Sequence, residues 1–111
     1  MVRKVIWSDD AMSDMAEIRD FISRDSPASA QGVVAGIEGA AERLVDFPYA
    51  ARMIPEFQDP DRRETFVYEY RLMYRIEAST VRILRVIHGR RLLKNVPGSF
   101  EEPGQEKYQA A

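Results

Sequence analysis

YRLMYRIEASTVRILRVIHGRR, residues 70–91, is the stretch whose reading decides the fold. Tyr70, Leu72, Tyr74 and Ile76 alternate with Arg71, Met73, Arg75 and Glu77, the period of two expected of a half-buried strand. Thr80 to His88 is rich in Val, Ile and Leu and supplies a second strand. Only Ala78 and Ser79 separate the two runs, a hairpin-length connection. That loop sets Glu77 opposite Thr80, Arg75 opposite Arg82, Met73 opposite Leu84, Arg71 opposite Val86 and Glu69 opposite His88. One face then carries Tyr70, Leu72, Tyr74, Ile76, Val81, Ile83 and Ile87, with Arg85 as its misfit. The other carries Arg71, Arg75, Arg82 and His88 around an apolar strip of Met73, Leu84 and Val86. The first is the core face, and the second is expected to receive a partner.

Working outward, Val2–Trp7 reads as a short strand, with Trp7 directed to the core. Ser8 is placed to cap a helix over Asp9–Arg24, whose Ala11, Met15, Ile18 and Ile22 form one stripe flanked by Phe21. Ser26-Pro27 opens a second helix with the stripe Ala30, Val33, Val34, Ile37, Ala41 and Leu44, and Phe47-Pro48 ends it. So short a link between them makes an antiparallel helical hairpin. Gly32, Gly36 and Gly39 fall opposite the second stripe, each costing roughly 1 kcal/mol of helix stability relative to alanine. A soft solvent face explains them more simply than self-association does. Tyr49–Arg63 is expected to be a loop, and Glu64–Val67 a strand leading into the hairpin. Residues 1–97 form one domain, and 98–111, GSFEEPGQEKYQAA, read as a disordered acidic tail. The order β-α-α-β-β-β gives an α+β fold, a helical hairpin packed on a small, largely antiparallel sheet.

Cysteine is absent and histidine occurs once, which leaves no disulfide framework, no thiolate site and no multi-histidine metal site. No cofactor is expected. Neither a membrane span nor a signal peptide is visible, so a cytoplasmic protein is expected. The net charge of −2 hides a split. Residues 1–61 hold 6 basic and 12 acidic side chains, residues 62–97 hold 9 and 3, and 13 of the 16 basic residues are arginine. That asymmetry points to an anionic partner for the second half, either nucleic acid or an acidic polypeptide. One catalytic set can be assembled from the residues: His88 as general acid or base, Glu69 facing it, and Arg71 placed for a phosphate. It would serve metal-free RNA cleavage by the 2′-hydroxyl.

Three segments resemble the RelE/ParE superfamily of toxins from type II toxin–antitoxin pairs, and within it the ParE-like, plasmid-stabilisation branch. They are WSDDAMSDMAEIRDFISRDSP, VVAGIEGAAERLVDFP and the 70–91 hairpin, with its Tyr-Arg-Leu-x-Tyr-Arg and His-Gly-Arg-Arg wording. The resemblance spans Val5 to about Arg91. It implies a toxin that inhibits DNA gyrase by binding and is neutralised, in a hetero-oligomer, by a ParD-like antitoxin. The alternative it carries is a RelE-like ribosome-dependent messenger RNA endonuclease, in which Arg71 would contact phosphate and His88 would act in catalysis. A further alternative is an inactive or purely regulatory member that only binds its antitoxin. Glu64–Val67 contains no lysine or arginine, and the Gly-Arg-Arg that follows His88 brings no tyrosine at the end of the last strand, a departure that weakens the nuclease reading. The antitoxin- or target-binding surface is expected to comprise Arg71, Met73, Arg75, Arg82, Leu84, Val86, His88, Arg90 and Arg91. Its ligand would be an acidic, amphipathic antitoxin segment.

Overall fold

Ser8 shows how local chemistry sets the architecture. Its backbone is extended (φ −69°, ψ 162°) and its Oγ accepts a hydrogen bond from the Ala11 amide at 3.0 Å, starting helix α1, Asp9–Ser23. The same hydroxyl donates to the Leu84 carbonyl at 2.8 Å and so fastens the helix start to the sheet. Ser26 caps helix α2, Pro27–Arg43, by accepting from Ser29 N at 3.1 Å, with Pro27 in the first turn where its missing amide costs nothing. Helix α1 buries Ala11, Met15 and Ile18, as its stripe requires, and Asp14 as well. Helix α2 buries Ala30, Val34, Ile37, Ala40 and Ala41.

The computed structural model describes residues 3–98 and 100. Strands β1 (Lys4–Trp7), β2 (Arg52–Met53), β3 (Arg62–Val67), β4 (Tyr70–Ile76) and β5 (Thr80–His88) form one sheet in the order β1-β5-β4-β3-β2. Only β1 runs parallel to its neighbour, pairing Lys4–Trp7 with Thr80–Ile83, and the other pairings are antiparallel. The α+β architecture is therefore the expected one, with the short β2 added. Val2, placed at the start of the first strand, and residues 101–111 of the expected tail lie outside the described residues, as does residue 99. No helix among the described residues is long and apolar enough to cross a membrane.

The helical hairpin covers one sheet face, where Leu72, Tyr74, Ile76, Val81, Ile83 and Val86 pack against Met15, Ile18, Val34, Ile37 and Leu44. Trp7 is only partly buried at the margin of this core. The opposite face is not open. Met73 and Ile87 pack there with Ile54, from the loop before β3, and Val96, from the C-terminal segment, with Phe57, Leu93 and Phe100 around them. Each large apolar side chain so covered is stabilised by roughly 1.5–3 kcal/mol relative to exposure. Loop 54–61 and the segment carrying Leu93, Val96 and Phe100 are held down by this term.

The hairpin departs from its expected register at one residue. The two-residue loop holds, since Glu77 N bonds Thr80 O at 2.9 Å, and Ile76↔Val81, Arg75↔Arg82 and Tyr74↔Ile83 pair accordingly. Between Met73 and Tyr74 the ladder shifts, so that Met73 faces Arg85, Leu72 faces Val86, Arg71 faces Ile87 and Tyr70 faces His88. Leu84 is the extra residue of a β-bulge. From there on every β5 side chain lies on the face opposite to the expected one. Val86 joins the helix-side core, Ile87 joins the second face, and Arg85 leaves the core where it had looked out of place.

Candidate functional site

The bulge moves Val86 and His88 to the helix side of the sheet, while Arg71, Met73, Arg75 and Arg82 keep their expected face. Arg71 is on the second face, buried, and fully engaged. Its Nε donates to Glu64 Oε1 at 2.7 Å, and its two terminal nitrogens donate to the Glu56 carboxylate at 3.1 and 2.8 Å. Burial works against the Arg71 charge, but the hydrogen bonds it donates to Glu56 and Glu64 outweigh it and raise its pKa. The Arg71 guanidinium in turn holds the Glu56 carboxyl below its ordinary range. Glu64, almost completely buried, also receives Arg52 Nε at 2.6 Å. Two arginines and two glutamates thus form a balanced chain tying the loop before β3 to the sheet. Arg71 and His88 lie on opposite faces, so the anticipated set of Arg71, His88 and Glu69 is not assembled.

Nor do Met73, Leu84 and Val86 make an exposed strip. Their exposures are 0%, 1% and 3%, because the chain's own loop and C-terminal segment cover Met73 and the helices cover Val86. The expected continuous basic surface is split as well. Arg75 and Arg82 lie at the turn end of the hairpin in one row with Arg62, and Arg82 meets Glu77 at 3.3 Å. Burial and the nearby Arg75 lower the Arg62 pKa. Arg90 and Arg91 project past the other end of β5, ~20 Å away at the rise of an extended strand. Strand β3 starts at Arg62, two residues before the expected Glu64, so it does contain basic side chains.

Arg85 joins three segments. It donates from Nε and Nη2 to the two Asp14 oxygens at 2.8 and 2.9 Å, and from Nη1 to Pro97 O at 2.9 Å. Its guanidinium also lies over the Phe100 ring, 5.0 Å from the centroid. Asp14 accepts the Val86 amide at 2.9 Å as well. Strand β1 ends its pairing at Ile83, and Asp14 takes the place of a neighbouring strand just beyond it. Burial disfavours the Arg85 charge, yet the Asp14 hydrogen bond and charge raise its pKa overall. Neither residue stood out in sequence beyond Arg85 breaking the apolar alternation.

His88 lies at an end of the sheet where chemistry-bearing side chains surround open space. Its ring meets Tyr70 edge-on at 5.6 Å, and its Nε2 lies 3.6 Å from Glu69 Oε2. The Arg90 amide donates to Nδ1 at 3.2 Å, so a neutral ring carries its proton on Nε2, toward Glu69. The ring borders a cleft of about 390 Å³ between α1 and the ends of β4 and β5. Ile18, Tyr70 and Val86 floor it, and Glu17, Phe21 and Arg91 stand at its walls. Among the described residues no group of His, Asp and Glu side chains has the arrangement of a metal site.

Two helices on a five-stranded sheet, with an arginine-rich second half and a cleft at the His88 end, define a small toxin-like α+β domain. Residues 5–93 match the model of the ParE toxin of the type II toxin–antitoxin system parDE, and the chain belongs to that family within the RelE/ParE superfamily. Toxin RelE2 of Caulobacter vibrioides is 30% identical over 89 residues, covering 80% of this chain and 98% of the relative. The fold is shared with a chain of the chromosomal ParDE system from P. aeruginosa, with a TM-score of 0.65 and 20% identity over 79% of this chain and 96% of that one. It is shared also with a chain of the RelBE2 toxin–antitoxin complex from Mycobacterium tuberculosis, with a TM-score of 0.53 and 23% identity over 79% and 99% of the two chains.

Proposed function

We propose that this toxin acts in the cytoplasm by binding DNA gyrase, without chemistry of its own, and that a ParD-like antitoxin binds and silences it. The observation that carries the reading is the match to the ParE family model over residues 5–93. The local geometry supports it. The Arg71 guanidinium, the group suited to a phosphate, is taken up by Glu56 and Glu64 on the face away from His88. Purified toxin is expected to inhibit gyrase supercoiling of relaxed plasmid, and adding the antitoxin encoded beside it should restore activity. Unimpaired supercoiling at a large excess of folded toxin would sink the reading.

A second reading rests on two observations: the relative named Toxin RelE2, and the basic row of Arg62, Arg75 and Arg82. It is a ribosome-dependent messenger RNA endonuclease with half-exposed His88 as acid or base. Under it His88→Ala abolishes growth arrest and transcripts are cut within translated codons. A purely regulatory member would leave colony counts unchanged when the chain is expressed alone.

A further inference from the structure

Phe21 lies on the outer side of α1 with 66% of its surface in water, flanked by the Arg24 guanidinium 6.0 Å from its ring centroid. A large aromatic so placed contributes little to folding, and exposed aromatic and arginine residues beside an apolar recess are the composition of binding hot spots. Here the recess is present. Phe21 walls the cleft floored by Ile18, Tyr70 and Val86, and its volume of about 390 Å³ falls in the roughly 300–1,000 Å³ range of binding pockets. The rim is mixed in sign, with Arg91 on the strand side, Glu17 on the helix, and Glu69 3.6 Å from the His88 ring. A phosphate backbone passing here would meet the carboxylates of Glu17 and Glu69, whereas nucleic-acid surfaces are basic throughout. A protein surface can satisfy both signs at once, with an apolar side chain seated between them.

We propose that this cleft is the surface by which the toxin docks on its protein target. One large apolar side chain of the target would enter between Phe21 and His88, a carboxylate beside it would meet Arg91, and a cation would meet Glu17. The proposal rests on the gyrase reading above and names the toxin's side of that contact. It differs from the expected surface in its floor and in using residues of α1.

The test uses full-length toxin carrying Phe21→Glu, Arg91→Glu, or both, with Phe47→Glu as a control. Phe47 is 76% exposed and lies outside the cleft. All the substituted positions are exposed, and circular dichroism melts should match wild type. Each cleft variant is expected to need at least tenfold more toxin for half-inhibition of gyrase supercoiling, and the double variant at least a hundredfold, with Phe47→Glu unchanged. If wild type inhibits gyrase and the cleft variants inhibit it equally well, the docking site is wrong and the gyrase reading stands. If folded wild type leaves gyrase untouched, the gyrase reading fails and this target with it. Loss of binding to a single-stranded RNA 20-mer in the cleft variants, with gyrase inhibition intact, would overturn the protein-docking assignment in favour of nucleic acid.

Discussion

The two halves of the β4–β5 hairpin were built under different constraints. From Ile76↔Val81 to Tyr74↔Ile83 the ladder obeys its loop, and β1 lies alongside β5 to hold it. Past Leu84, among the described residues, only β4 pairs with β5, and the outer edge is completed by side chains of α1 and its cap: Ser8 on the Leu84 carbonyl and Asp14 on the Val86 amide. The first half is positioned by backbone pairing on both sides, the second by backbone pairing on one side and a serine and an aspartate on the other. One inserted residue between them exchanges Val86 with Ile87 across the sheet. That exchange decides which side chains a partner can meet.

The comparison is broken most forcefully at Asp14. Asp14→Ala leaves the Arg85 guanidinium buried without its carboxylate and the Val86 amide without an acceptor. It should destabilise the fold by about 3–5 kcal/mol in a urea titration, whereas Ser79→Ala, in the exposed turn of the first half, should change stability by less than about 0.5 kcal/mol. Met73 comes next. As a fully buried residue beneath Ile54 and Val96, its replacement by alanine should cost about 2–5 kcal/mol, a loss that a surface methionine would not show.

Tyr74 sharpens the contrast through pH. Burial raises its hydroxyl pKa from 10.0 to about 12, and the hydroxyl donates to Pro48 O at 2.6 Å. The folded protein therefore holds this proton more tightly than the unfolded chain. The stabilisation is complete below pH 10 and lost as pH rises through about 12. Unfolding free energy should fall by on the order of 2–3 kcal/mol across that window, and the Tyr74→Phe variant should lack this part of the slope. Ser8 follows with a smaller loss. Replacing it with alanine removes the cap of α1 and the tie to Leu84, for about 1–2 kcal/mol, read as a shifted urea midpoint with unchanged slope.

Helix limits were legible because caps are local chemistry: Ser8 and Ser26-Pro27 announce both starts within one residue. The first half of the hairpin was legible for the same reason, since alternation and a two-residue loop fix register. A bulge leaves no turn residue behind, and the sign it did leave was Arg85 standing on an apolar face. Its partner, Asp14, lies 71 residues away, and a distant ion pair has no periodicity to read. Buried Glu64 and Arg71 were hidden in the same way, each a charged residue in an otherwise ordinary strand. Gly36 shows the limit of composition. A Cβ there would meet the Tyr68 hydroxyl at 2.6 Å, so the glycine makes room for a tyrosine of the β3–β4 turn, itself at φ 55°. Gly32, by contrast, has open space around it, as a tolerated surface glycine would.

Interstrand nuclear Overhauser effects on the labelled protein test the bulge directly, and the placing of the cleft depends on it. The account predicts contacts between the backbone protons of Met73 and Arg85 and of Tyr70 and His88, with Val86 methyls touching Met15 or Ile18 side chains. Contacts pairing Met73 with Leu84 and Arg71 with Val86, with Ile87 against the helices instead, would contradict it and return the second face of the sheet to the role of partner surface.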